Sequence, residues 1–183
     1  MQYPHPMPTR EGTLKAREFL FFTEDLAIAA LPPGFDVPTR KVMWTILQLF
    51  YADPLVHFEL QPQPSRGLVE LGLHFEGDAE ANEAAALALA QHTHEIRAAL
   101  GPEWELEEWT ASWRRLHRTY TFTKLTAALG REIAEEMTKA MVALAPLIHD
   151  VRVRPPETAG KAKAPSAASS SKWRQRGRKS PAR

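Results

Sequence analysis

The tripeptide His-Phe-Glu occurs twice, at 57–59 and 74–76, and these residues have the types and spacing best suited to chemistry. Both copies lie in runs of alternating character. Val56, Phe58 and Leu60 alternate with His57, Glu59 and Gln61, while Val69, Leu71, Leu73 and Phe75 alternate with Glu70, Gly72, His74 and Glu76. A period of two sends successive strand side chains to opposite faces, so His57, Glu59, Glu70, His74 and Glu76 share one face opposite an apolar one. Two imidazoles among carboxylates are a ligand set for a divalent metal, which could activate water for hydrolysis. The same alternation also describes a sheet face that is polar only because water covers it. Register separates the two readings, since a site requires His57 and His74 to meet across the hairpin. Glu59 and Glu70, if close across the ladder, would raise each other's pKa.

Other candidates carry less chemistry. His92 falls between Leu89 and Ile96 on the apolar line of an expected helix, where a hydrogen-bonded core histidine is the ordinary outcome. His92 and His94, two residues apart, point to different helix sides and do not chelate together. Trp44, Trp104, Trp109 and Trp113 could form a stacking platform, but large aromatics in a domain of this size are expected in the core. Arg114, Arg115 and Arg118 could meet phosphate, although the acidic run Glu103–Glu108 beside them is expected to neutralise them. The chain has no cysteine, which excludes disulfides, thiolate metal ligands and a thiol nucleophile. It also lacks a Gly-rich phosphate loop, H-E-x-x-H and a nucleophile elbow, and before residue 155 its serines are Ser65 and Ser112 alone. No catalytic residue set is assigned.

Charge is unevenly placed. The 183 residues hold 23 Lys+Arg and 22 Asp+Glu, a formal net charge of +1. Eight of those bases and one of the acids fall in 155–183, giving +7 there and leaving −6 for the rest. An acidic body joined to a basic segment points to an anionic partner for that segment. Within it, Lys172, Trp173, Arg174, Arg176, Gly177, Arg178 and Lys179 interleave bases with one aromatic and one glycine. Arg176-Gly177-Arg178 resembles the core of an AT-hook, the short motif whose Arg-Gly-Arg lies along the minor groove of A·T-rich DNA. The positions flanking that core, where the AT-hook carries prolines, are Gln175 and Lys179. The resemblance implies that glycine lets the backbone approach the groove floor while the narrow groove's potential attracts the arginines. Trp173 could instead stack on an unpaired base, and a solubilising tail with no fixed partner is the plainer alternative.

The elements that must position these groups follow from periodicity and breakers. Residues 1–11 form a flexible Pro-rich lead-in. A helix from about Thr13 is closed by Leu31-Pro32-Pro33-Gly34. Pro38 suits a first helical position, and Val42, Met43, Ile46, Leu47 and Phe50 follow at helical spacing, predicting a second helix to about Ala52. The hairpin of the two His-Phe-Glu runs comes next, then a helix from Asp78 to Gly101. Glu103–Trp109 and Trp113–Tyr120 read as a second hairpin with opposite charges facing. Leu125, Leu129, Ile133, Met137, Met141, Leu144 and Ile148 mark a long last helix, kinked or ended by Pro146. The expected class is therefore α+β in the order α-α-ββ-α-ββ-α, a four-stranded, mainly antiparallel sheet with helices on one face. A single domain over 12–152 precedes a disordered basic tail over 153–183, poor in large aliphatic residues.

The N-terminus lacks a basic stretch before an apolar one, and the longest apolar run, Phe19–Leu31, contains Glu24 and Asp25. No secretory signal and no membrane span are expected, and the location expected is cytoplasmic. The functional expectation is a non-enzymatic binding or adaptor module without a cofactor, whose tail contacts DNA or RNA and whose folded part meets an unidentified protein or ligand. The alternative is a metal-dependent hydrolase, such as a nuclease, using the His/Glu face.

Overall fold

Two alternating runs eight residues long are enough to nucleate a sheet, because each can bury one complete face. In the computed structural model, which describes residues 12–149 and 151–153, they become β3 (Val56–Gln63) and β4 (Leu68–Phe75). They are joined through a short 3-10 turn at Pro64–Arg66, where Gly67 takes a left-handed φ of 64°. Before them come α1 (Ala16–Ala29), β1 (Thr39–Met43) and β2 (Ile46–Phe50); after them, α2 (Ala79–Ala90), α3 (Thr93–Leu100), β5 (Glu105–Glu108), β6 (Arg114–Thr121) and α4 (Ala127–Ile148). The lead-in over 1–11 and the tail expected over 153–183, except Val153, lie outside the described residues; Val153 is buried and its amide donates to Asp53 Oδ2 at 2.9 Å.

The α+β class and the antiparallel sheet hold, but the sheet has six strands instead of four, ordered β1-β2-β3-β4-β6-β5. The two extra strands replace the helix expected over 38–52. Met43 pairs with Ile46 around a two-residue turn, Trp44-Thr45, and Val42 pairs with Leu47. Ile46-Leu47-Gln48-Leu49-Phe50 is a strand whose Leu47 and Leu49 enter the core while Gln48 faces the other way. Paired strands here bury Leu47 and Leu49 completely, so tertiary pairing overrides a short apolar run that also fits helical spacing. The helix expected over 78–100 is two helices, broken at Gln91-His92. The second hairpin forms as expected, with Glu107 opposite Arg115 and Glu108 opposite Arg114.

One face of the sheet carries the apolar core. Phe58, Leu60, Leu71, Leu73 and Phe75 are fully buried together with Phe19 and Leu20 of α1 and Ile133, Met137, Met141 and Leu144 of α4. Leu129 of α4 is half-buried. α1 and α4 pack closely at Gly130, where a Cβ would lie 2.8 Å from the Phe22 ring. Asp78 caps α2 by accepting from the Ala81 amide at 2.8 Å, and Thr126 caps α4 through the Leu129 amide at 3.2 Å. Pro146 lies inside the last turn of α4. Among the described residues, no helix is long and apolar enough to cross a membrane.

Candidate functional site

The sheet's second face is also buried, and polar. Register sets it: His57 pairs with His74, Glu59 with Gly72 and Gln61 with Glu70 between β3 and β4. Across to β6, Gly72 pairs with His117 and His74 with Arg115, and across to β2, Glu59 pairs with Gln48. Directly opposed residues share a face, so Gln48, Glu59, His57, His74, Glu70, Arg115 and His117 form one polar surface. Water does not cover it as the alternation alone would suggest. Gln48, His57, Glu59, Glu70 and His74 are all under 5% exposed. The β5–β6 turn contributes Trp109, whose ring stands edge-on to His74 at 5.2 Å and lies 5.1 Å beneath the Arg115 guanidinium.

Gly72 is the position that permits this crowding. A Cβ there would meet His117 Cβ at 2.8 Å and His74 Nε2 at 3.1 Å. The missing side chain lets two histidines from adjacent strands converge over one backbone position.

The two candidate histidines face each other, their rings 5.7 Å apart and 28° from parallel. His57 directs Nδ1 to the Pro54 carbonyl at 2.9 Å and Nε2 towards the Gln48 amide at 2.9 Å. That amide also donates to Glu59 Oε2 at 3.0 Å, while His57 Nε2 lies 3.4 Å from the same oxygen. His74 Nε2 meets Glu70 Oε1 at 3.2 Å. Its Nδ1 is buried without a hydrogen-bond partner, 3.8 Å from Glu76 Oε1. Glu70 also accepts from Arg115 Nη1 at 2.6 Å, and Arg115 holds Glu107 Oε1 through Nε and Nη2.

These contacts decide the ionisation. Burial pushes the Glu59 carboxyl up, but bonding to His57 and Gln48 and the charge of His74 outweigh it and hold it below the usual range. Burial likewise acts on Glu70, and His74 and Arg115 outweigh it. The expected mutual rise of the two acids is thus reversed, because the imidazoles and Arg115 beside them outweigh burial. For His74, burial favours the neutral ring, but Glu70, Glu76 and Glu59 raise its pKa to about 9. His117 is pushed below its ordinary 6.5 by burial and by Arg115.

All five sequence-predicted residues lie on this face. One donor atom each from His57, Glu59, His74 and Glu76 falls within 4.8 Å of the others, and Glu70 stands behind His74 as its orienting partner. Gln48, Glu107, Trp109, Arg115 and His117 belong to the same network. Gln48 was hidden by the helical reading of 38–52, and Arg115 by its resemblance to a phosphate ligand.

The acidic run neutralises part of the basic run of β6, through Glu108 on Arg114 and Glu107 on Arg115, whereas Arg114 also pairs with Glu83 of α2 and Arg118 with Glu136 of α4. His92 is not in the core; it precedes α3, and its half-exposed ring meets Glu95 at 2.9 Å. Of the tryptophans, Trp104 is buried and its Nε1 donates to Glu136 at 2.9 Å, whereas Trp44 is 89% exposed on the β1–β2 turn. A groove of about 420 Å³ runs between α3 and β5, walled by Leu89, Ile96, Trp104 and Leu106, and shares only Glu107 with the polar network. The tail residues Lys172, Trp173, Arg174, Arg176, Gly177, Arg178 and Lys179 lie outside the described residues. Comparisons with protein-family models, with curated proteins and with solved structures return no match.

Proposed function

We propose that this chain is a non-enzymatic α+β binding module whose basic C-terminal segment contacts DNA or RNA, mainly through phosphate charge. The observation that carries this reading is the partition of cations. Residues 1–154 carry a net −6, and five of their thirteen described Lys and Arg residues, Arg40, Arg114, Arg115, Arg118 and Lys139, are paired with an internal carboxylate. The eight bases of residues 155–183 meet a single acid, Glu157, in their own segment, which leaves +7. Phosphate binding follows net positive charge and the counterions it releases, which favours the basic segment over the acidic body. A hydrolytic reading of the His/Glu face needs a coordination position open to substrate. It is less well supported, because His57, Glu59 and His74 are under 5% exposed and the groove of about 420 Å³ lies beside α3, away from them.

The test is an anisotropy titration of the full-length protein against A·T-rich and G·C-rich duplexes across a salt series. With about five tail bases on phosphates, the log–log salt slope is expected at about −4 to −5. Changing Arg176→Ala and Arg178→Ala together should remove about two units of it. A preference for the A·T-rich duplex supports the AT-hook-like mode, and equal binding supports phosphate attraction alone. Unchanged affinity after Lys172, Arg174, Arg176, Arg178 and Lys179 are all replaced by Gln would refute the proposal.

A further inference from the structure

We propose that His57, Glu59, His74 and Glu76 together bind one divalent transition-metal ion of the zinc type, as a closed structural centre on the β3–β4 hairpin. The inference is independent of the tail and of its partner. It rests on the side-chain geometry of the buried polar face.

Both imidazoles are held as metal-binding histidines are held. A ligating histidine directs its outer ring nitrogen to a carbonyl or carboxylate, which fixes the ring and turns the other nitrogen's lone pair inward. His57 does this with Nδ1 on the Pro54 carbonyl, and His74 with Nε2 on Glu70. The inner nitrogens are then His57 Nε2, 3.4 Å from Glu59 Oε2, and His74 Nδ1, 3.8 Å from Glu76 Oε1. An ion with bonds of about 2.1 Å in tetrahedral geometry sets neighbouring donors about 3.4 Å apart. Each His–Glu pair is close to that spacing, one donor atom from each of the four residues lies within 4.8 Å of the others, and the set closes when the Gln48 amide swings away from His57 Nε2.

Two further features call for a cation. His74 is 0% exposed, and its Nδ1 has no hydrogen-bond partner, a costly state for a ring nitrogen unless something occupies the space before it. The Gln48 amide fills the corresponding space before His57, donating towards both Nε2 and Glu59, as a neutral stand-in for positive charge. The face also holds more carboxylate than permanent cation. Glu59, Glu70 and Glu76 gather there, and Arg115 is divided between Glu70 and Glu107. A 2+ ion would balance Glu59 and Glu76 directly.

The donor set selects the class of ion. Two imidazoles and two carboxylates without thiolate suit zinc or cobalt(II), whereas magnesium and calcium seek all-oxygen shells. Four protein donors fill a tetrahedral shell and leave no position for substrate water, which fits a structural role. Access is at Glu76, whose side chain is 18% exposed while the other three are nearly sealed.

The experiment uses the full-length protein after chelator treatment, titrated with Zn²⁺ by calorimetry in excess Mg²⁺, and with Co²⁺ by visible absorption. Expected are one Zn²⁺ per chain, a raised melting temperature, and the intense visible bands of four-coordinate cobalt. His57→Gln should weaken Zn²⁺ binding by about 100-fold or more and Glu76→Gln by about 10-fold or more, taking metal-site perturbations as the scale. Circular dichroism checks that each variant folds. If His57→Gln does not, the part-exposed Glu76→Gln still decides. No Zn²⁺ binding by the parent, a weak six-coordinate cobalt spectrum, or parental affinity in folded Glu76→Gln would each overturn the proposal, the last by placing the ion elsewhere.

Discussion

Replacing Glu70 measures how far the polar face depends on buried charge. Its carboxylate is 5% exposed and accepts from Arg115 at 2.6 Å, His74 at 3.2 Å and Gln63 at 3.4 Å. Glu70→Gln keeps the shape and one acceptor oxygen but removes the charge. Charge-assisted bonds contribute about 1.5–3 kcal/mol and neutral ones about 0.5–1.5 kcal/mol, so weakening two of them should cost about 2 kcal/mol. Glu70→Leu removes every acceptor. It leaves His74 and one arm of Arg115 facing an apolar group, and the cost should approach the roughly 3–5 kcal/mol of a broken buried pair, softened because Arg115 retains Glu107. In a domain of this size the two changes correspond to melting-point losses of about 6–8 °C and about 12–15 °C. The assay is urea unfolding of chelator-treated protein, followed by tryptophan fluorescence, since Trp109 stands against His74. Adding Arg115→Met to Glu70→Leu should recover about 2 kcal/mol, because the stranded cation goes with its partner. A loss below about 1 kcal/mol for Glu70→Leu, or strict additivity with Arg115→Met, would show that water screens this face and would refute the reasoning.

Two further outcomes follow from the same contacts. In metal-free protein, the raised pKa of His74 means that the folded state holds its proton more tightly than the unfolded chain does. That stabilisation is complete below the ordinary 6.5 and lost as pH rises through about 9, amounting to about 3 kcal/mol at 1.36 kcal/mol per unit. Glu59 and Glu70, held below their ordinary 4.5, act oppositely: their contribution disappears as pH falls through their folded pKa values. His117, pushed below 6.5, also favours unfolding as acid charges it, so stability measured by urea midpoint should peak near pH 6–7, and a midpoint constant from pH 6 to 10 would contradict the His74 assignment. On the helix side, Ile133→Ala should cost about 2–5 kcal/mol, because Ile133 is fully buried in the apolar core, and a melting temperature equal to the parent's would show that α4 does not form the core.

The legible parts of the fold were those in which one period ran long enough to exclude the other. β3 and β4 alternate over eight residues each, and α4 keeps one apolar stripe over six turns, so their positions could be read directly. The β1–β2 hairpin was not legible. Two short strands joined by a two-residue turn place Val42, Met43, Ile46, Leu47 and Phe50 at separations that also fit one helix face. The usual turn residues are missing as well. Trp44, with φ 53°, occupies the left-handed position where glycine or asparagine would have announced the hairpin. Alternation also placed His57, Glu59, Glu70, His74 and Glu76 on one face, because that much depends only on the strands. Their burial depends on Gln48 from β2, on Arg115 and Trp109 from beyond α3, and on the gap left by Gly72. None of these has a local signature.

Two faces of one sheet are thus buried by different physics, and together they fix its register. The helix-facing side gains from removing Phe58, Leu71 and Leu73 from water, a non-directional force that tolerates small shifts. The other side tolerates none. Sliding β3 by one residue along β4 would turn His57 and Glu59 into the helix core and Phe58 and Leu60 into the buried polar face. It would also part Gln48 from Glu59 across β2 and β3, and a slip of β6 along β4 would strand Glu70 and Arg115 in the same way. The polar contacts need contribute little net stability to do this, since each offsets its own desolvation, but every misaligned alternative leaves a buried charge unmatched. Four adjacent strands are therefore pinned by contacts concentrated around Gly72. That is also where a zinc-type ion would join β3 to β4 through two ligands from each strand, holding the hairpin in the one register that brings His57 opposite His74.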